Sequence, residues 1–383
     1  MLWSMANFVV IGTWNTKGEE LEFVCQELAK RNHTPIKLDL SATKTTQDRD
    51  TALSGIVEEA RKKLAQTAKR EHISGVLSVG GGTNLWMSGQ IMADIPLMVP
   101  KVIVSTMIAN SLTALRTHKD IVYVQAPCDF AWRNPLSETI LKNCVALLTS
   151  MEEGVPHLDK PAIAITNFGI TSGFLPGAKA FWDQNECHLV PFHAIGESTM
   201  AMGELAEKGF FSGMLDLTLH DVLDHVARGS CGRLDERRVS SYLSQDVPAV
   251  MAPGGLDFIA YVLDDGRLPR AFANRKIYRH DYRVGVSATV KEVIKVAKWL
   301  GPIVEKARPE HALLLLPLGG WSGPGVRGGG FYDEELIGAF REQIMKYWDP
   351  AHVIEVDLPL EDPRFARLAS EYLFDLMQKK WKT

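Results

Sequence analysis

A short apolar run, a glycine-rich or polar turn, and then a stretch with apolar positions every three or four residues recur along this chain. That repetition limits its fold more than any other feature. Phe8 to Ile11 enters Gly12-Thr13-Trp14-Asn15-Thr16-Lys17-Gly18, and the helix that follows carries Leu21, Val24, Cys25 and Leu28 on one face. Pro35 to Leu40 reads as the next strand and Asp50 to Arg70 as the next helix. Gly75 to Val79 meets Gly80-Gly81-Gly82-Thr83, and Val99 to Val104 meets Ser105-Thr106. Units of this kind build parallel, doubly wound sheets, whose ligands lie beyond the carboxyl ends of the strands. The turns are therefore the places to look for a site.

A helical stretch from Pro135 to Glu153 leads into Gly154-Val155-Pro156-His157-Leu158-Asp159-Lys160-Pro161, a turn-rich linker, and the alternation then restarts. Strands are expected at Ala162 to Thr166, His188 to Phe192, Gly213 to Asp216, Val247 to Met251 and Ala312 to Leu316. Helices are expected from about Gly177, over Val290 to Lys306 and over Tyr332 to Met345. With 383 residues, two cores of ordinary size fit. The expected architecture is α/β, with two Rossmann-like subdomains, 1–157 and 158–383, mainly parallel sheets and a cleft between them.

Several partner classes drop out on charge and hydropathy. Forty-two basic against 46 acidic residues give −4, which supplies no general field for nucleic acid. No window approaches the roughly 20 apolar residues of a membrane span, and the first residues lack the pattern of a signal peptide. Five scattered cysteines without a CxxC pair suit reduced thiols, and the chain reads as cytoplasmic.

The turn chemistry points to anions. A glycine turn opening a helix presents unpaired N–H groups at the positive end of the helix dipole, where phosphate is the usual guest. Gly80, Gly81, Gly82 and Thr83 have that context, yet they form neither a Walker A box nor a G-x-G-x-x-G fingerprint. Gly12, Thr13 and Lys17 add a hydroxyl and a cation, and Ser105 and Thr106 add further hydroxyls. The alternative for the first turn is local: Asn15 or Thr16 caps the helix, with Glu19 or Glu20 near its positive end. In the second half, Gly196, Glu197 and Ser198 follow one strand, and Gly254, Gly255 and Asp257 follow another. Asp257 is suited to orienting a ribose hydroxyl, to holding magnesium through water or to acting as a base, or else to capping the next helix. The run Gly319 to Gly330 is dense enough in glycine to read as a mobile lid carrying Arg327.

Other chemistries find little support. No G-x-S-x-G elbow exists, and no H-x-x-x-H pair, so neither a serine hydrolase nor a metal site is expected. His193 and His280 follow apolar runs and are candidate acid–base groups beside Asp257.

An ordered set of segments resembles the UPF0261, or Tm-1-like ATP-binding, family. Gly12 to Glu20 resembles its G-T-x-D-T-K-G-x-E. Gly80 to Thr83 and Pro100-Lys101-Val102-Ile103-Val104-Ser105-Thr106-Met107 follow in order. Phe192-His193-Ala194 with Gly196, Leu215-Asp216-Leu217-Thr218, Pro253-Gly254-Gly255-Leu256-Asp257 and Gly330-Phe331-Tyr332-Asp333 complete the pattern over nearly the whole chain. The resemblance implies two Rossmann-like subdomains, binding of ATP or a related nucleotide with or without magnesium (Mg2+), and a homodimer or higher homo-oligomer. Departures include Asn15 in place of Asp, a shortened glycine loop, and His280-Asp281-Tyr282 with Val286-Ser287-Ala288-Thr289 where the family has H-N-P and M-R-T-T. They point to a changed ligand. The expected function is nucleotide binding in the cleft. The alternatives are a hydrolase or lyase acting on a small carboxylate or carbonyl metabolite, or a nucleotide-gated interaction protein without turnover.

Overall fold

The computed structural model describes residues 5–41, 48–111, 115–263, 268–279, 283–307 and 309–382. They form two compact units, Met1–Pro156 and His157–Thr383. In the first, β1 (Asn7–Gly12), α1 (Trp14–Ala29), β2 (Thr34–Asp39), α2 (Arg49–Ala68), β3 (Ile73–Gly80), α3 (Gly82–Met92), β4 (Lys101–Ser105), α4 (Ile108–Ser111), β5 (Val122–Gln125) and α5 (Pro135–Ser150) alternate; the short α4 and β5 are additions to the elements that the sequence predicts. All strand pairings are parallel, in the order β2-β1-β3-β4-β5.

Side chains along these strands alternate between two cores. Phe8, Val10, Leu77, Val79, Val102 and Val104 pack under α1 and α5. Val9, Ile11, Val76 and Ile103 pack under α2 and α3. A strand apolar at every position is what a sheet covered on both faces requires.

The second unit contains β6 (Ala162–Asn167), α6 (Leu175–Gln184), β7 (His188–His193), α7 (Gly196–Glu207), β8 (Gly213–Thr218), α8 (His220–Ala227), α9 (Arg237–Leu243) and β9 (Ala249–Gly254). It continues through β10 (Phe258–Val262), β11 (Ile277–Arg279), β12 (Arg283–Ser287), α10 (Val290–Ala307), β13 (Ala312–Pro317), α11 (Glu334–Ile344), β14 (Val353–Val356) and α12 (Pro363–Lys382). Its main sheet is parallel, in the order β14-β13-β9-β8-β6-β7. Counted from β6, this repeats the second-first-third-fourth-fifth order of the first unit and adds one edge strand. In such sheets the crevice opens where the order reverses, between the first and third strands. That point lies at β1/β3 in one unit and at β6/β8 in the other.

Two expectations change. A small antiparallel sheet, β10-β12-β11, interrupts the alternation after β9. Because β10 follows Asp257, that residue caps no helix. Secondly, the glycine-dense segment 319–330 is packed over its first part: Trp321 and Ser322 are buried, and its backbone bonds Gly255, Ile170 and Leu360. Glycine there serves close packing, since a Cβ on Gly325 would overlap the Asp257 carboxylate. No helix among the described residues is long and apolar enough to cross a membrane.

Candidate functional site

At the carboxyl edge of the first sheet, register sets Gly80 of β3 opposite Ser105 of β4. The turns after β1, β3 and β4, carrying Gly12, Thr13, Gly80 to Thr83, Ser105 and Thr106, therefore share one rim. The capping there differs from the sequence expectation. Neither Asn15 nor Thr16 caps α1. Instead Asp39 Oδ1 accepts from the Trp14 N–H at 3.1 Å, and Ser41 Oγ accepts from the Asn15 N–H at 3.0 Å. Burial pushes the Asp39 carboxyl up, but hydrogen bonds from Ser41 and Trp14 outweigh it and leave it below the usual carboxylate range. Lys17 is occupied as well: Nζ donates to the Phe130 carbonyl at 2.7 Å and lies 3.7 Å from Asp129.

The start of α3 is different. Gly81 at its N-cap is extended and offers no side chain, and among the described residues beyond its chain neighbours no heavy atom lies within 4 Å of where its Cβ would stand. The other helices of this unit have an early N–H taken by a side chain: Asp39 and Ser41 for α1, Asp48 for α2, Gln125 for α4 and Asn134 for α5. Arg49 stands beside the α3 terminus, with Nη2 3.5 Å from Thr83 Oγ1. Sequence reading overlooked Arg49, which follows β2 by ten residues and belongs to no motif.

In the second unit the loop after β7 is held by backbone: the Gly196 N–H donates to the Cys231 carbonyl at 2.7 Å. Glu197 and Ser198 follow on the first turn of α7. After β9, the Gly255 N–H donates to the Trp321 carbonyl at 2.9 Å, and the Gly254 carbonyl accepts from Leu219. Asp257 stands beyond them, buried. Its Oδ2 accepts from Ser322 Oγ at 2.5 Å, while Oδ1 has no hydrogen-bond partner among the described residues. Burial pushes its carboxyl up to about 7, against the pull of Ser322 and its own backbone, and the nearby Glu361 carboxylate adds to the rise. Glu361 accepts from the Gly173 N–H through Oε2, and its Oε1 is also without a partner. A buried carboxyl that exchanges its proton near neutrality, with a hydroxyl beside it, is equipped for acid–base chemistry.

A pocket of about 260 Å³ opens near the β6/β8 crevice, lined by Phe168, His193, Cys231, Phe258, Tyr278 and Arg283, among others. The His193 ring stacks on Phe168 at 4.8 Å. Phe168 also contacts the His220 ring at 4.2 Å, and His220 stacks on Phe258 at 4.3 Å. Burial holds the His220 imidazole below the usual histidine range, so it is neutral at pH 7. His280 lies outside the described residues.

Within the second unit, Arg238 of α9 is wholly buried between two carboxylates. It donates to Asp216 at 2.6 and 2.9 Å and to Asp221 at 2.9 Å. Tyr242 and Thr166 donate to Asp216 at 2.7 and 2.8 Å, and Thr199 donates to Asp221 at 2.5 Å. The Leu215-Asp216-Leu217-Thr218 segment thus serves this network, which the sequence could not show because Arg238 comes 22 residues later.

The structure brings Gly80 to Thr83 together with Ser105 and Thr106, and His193 to the pocket. It sets Asp257 with Ser322, three strands away from the β7 turn that carries Gly196.

Comparison with known proteins is consistent over both units. Residues 41–157 match the description "Uncharacterised protein family (UPF0261) N-terminal domain", and residues 160–377 match "Uncharacterised protein family (UPF0261) C-terminal domain". A UPF0261 protein of Clostridium tetani is 28% identical over 404 aligned positions, covering 97% of this chain and 99% of that protein. One from Rhizobium meliloti is 27% identical, covering 95% and 98%. The ToMV resistance protein Tm-1(GCR237) of Solanum lycopersicum is 26% identical over 337 positions, covering 85% of this chain and 44% of that protein.

Proposed function

The chain belongs to the UPF0261 family, and from that premise we propose that it binds a nucleotide, ATP or a relative, with the phosphates resting on the N-terminus of α3. The observation that carries this reading is the open, glycine-lined start of α3 at the carboxyl edge of β3, beside the β1/β3 reversal. Backbone N–H groups of Gly82 and Thr83 would face the anion, Ser105 and Thr106 stand on the neighbouring rim, and Arg49 supplies the cation. Lys17 supports the turn through Phe130 rather than holding phosphate.

Calorimetric titration with ATP and ADP, with and without magnesium, tests this on the parent, Gly81→Asp and Arg49→Ala. An aspartate at residue 81 fits the extended N-cap and places its own carboxylate on the α3 amides. It should stabilise the fold by about 0.5–1 kcal/mol while lowering nucleotide affinity at least tenfold. A variant that is more stable yet cannot bind separates ligand loss from misfolding. Absence of binding by the parent, or undiminished binding by Gly81→Asp, would sink the reading.

A second reading rests on Asp257. Its buried carboxyl, with one free oxygen and Ser322 at 2.5 Å, suits proton transfer on a small carbonyl or carboxylate metabolite. A screen of such compounds is the test, with Asp257→Asn abolishing any turnover found.

A further inference from the structure

We propose that His220, Asp224 and Cys231 form a binding site for one divalent cation of the zinc class, set in the wall of the aromatic pocket. The site stands apart from both readings above. One ligand atom from each residue lies within 4.8 Å of the others, a grouping that runs against the sequence expectation of no metal. His220 and Asp224 are four residues apart on α8, so they share a helix face. Their Nε2 and Oδ2 atoms are 3.7 Å apart, close to the ~3.5 Å edge of a tetrahedron with ~2.1 Å bonds.

The surroundings are built for ligation. His220 is fully buried between Phe168 and Phe258, and its Nδ1 faces the Gly255 carbonyl at 3.3 Å. A neutral ring that donates from Nδ1 turns its Nε2 lone pair toward Asp224, and Nε2 has no hydrogen-bond partner among the described residues. Asp224 is equally oriented, its two oxygens accepting from the Cys231 N–H at 2.8 Å and the Ala260 N–H at 3.0 Å. Burial pushes its carboxyl up to about 6, those two bonds pull the other way, and each oxygen keeps a second lone pair. Two buried acceptors facing each other call for something positive between them.

Cys231 is placed by its backbone. A Cβ on Gly229 would overlap the Asp224 carboxylate, and one on Gly232 would overlap the main chain at Asp224 and His225. Only a glycine on each side lets this loop press so closely on α8. The His225 ring adds a hydrogen bond to the Gly232 carbonyl at 2.9 Å. A nitrogen, oxygen and sulfur set selects zinc or cobalt over magnesium or calcium. Three protein ligands leave a fourth position, and because Cys231 and Phe258 line the pocket, that position is available to a small molecule there.

The chelator-treated full-length chain is titrated with Co2+ and then with Zn2+. One equivalent of Co2+ should give tetrahedral ligand-field bands and a thiolate-to-cobalt charge-transfer band, and Zn2+ should displace both. Cys231→Ser should remove the charge-transfer band and weaken Zn2+ at least tenfold, while Cys187→Ser should change neither. Should Cys231→Ser fail to fold, the parent still decides: Zn2+ should slow alkylation of Cys231 by iodoacetamide at least tenfold, read on the Cys231 peptide by mass spectrometry. No stoichiometric cobalt spectrum, a thiolate band that survives Cys231→Ser, or unprotected alkylation would overturn the proposal.

Discussion

Asp257→Asn should resist denaturant better than the parent at pH 8 and lose that advantage at pH 4. The sign follows from linkage. The native carboxyl releases its proton at about 7, because burial disfavours its charge, whereas in the unfolded chain it does so near 3.8, as a solvated aspartate does. Below pH 4 both states are protonated and the residue has no pH-dependent effect. Between about 4 and 7 the unfolded chain gives up its proton while the native one keeps it, so stability drains away as pH rises. Above 7 the loss is complete, and the separation of the two values corresponds to about 4 kcal/mol. Asparagine keeps the shape and still accepts from Ser322, but it never ionises. Urea titrations of both proteins across that range should therefore diverge above pH 5, by up to about 4 kcal/mol at pH 8. If the variant were weaker at pH 8, the native aspartate would be ionised and well solvated by its neighbours, and the acid–base reading would fall with it.

How far the chain explains itself depends on sequence distance. Strands such as Phe8 to Ile11 and Ala312 to Leu316 announce themselves because a sheet covered on both faces demands unbroken apolar runs. The glycine turns after them are visible for the same local reason. Failures come where a side chain finds its partner far along the chain. Lys17 reads as a free cation until the Phe130 carbonyl, 113 residues on, is found against it. Segment 319–330 reads as mobile because glycine usually means freedom; here its backbone is bonded to Gly255, Ile170 and Leu360, and glycine is what allows the contact. Asp257 was legible as a titratable residue after a strand, but Ser322 and Glu361, which shape its behaviour, were not. His220 and Asp224 carried a legible signal in their spacing of four, whereas Cys231 joins them through a loop whose glycines gave no hint of direction.

Arg238→Met should cost the second unit about 3–5 kcal/mol, because removing one member of a buried ionic cluster strands the others. Asp216 and Asp221 would be left wholly buried, facing each other's charge with the guanidinium gone, although Tyr242, Thr166 and Thr199 would still donate to them. The cost is set by that abandonment more than by the strength of the bonds lost, which makes a specific prediction for the double variant. Asp216→Asn together with Arg238→Met removes one charge of each sign, leaves one carboxylate unpaired instead of two, and should be more stable than the sum of the single changes by about 2 kcal/mol. Trp182 and Trp321, both buried in this unit, report its unfolding by fluorescence. Strict additivity would mean that Asp216 and Arg238 are not energetically coupled, against bonds of 2.6 and 2.9 Å. The placement of the cluster gives the result a functional reach. Asp216 sits on β8 two residues before Thr218, and Asp221 follows His220, the first residue of α8. What fixes the guanidinium thus fixes the turn from which His220 and Asp224 project, so Arg238→Met should also lower cobalt affinity without touching a ligand atom.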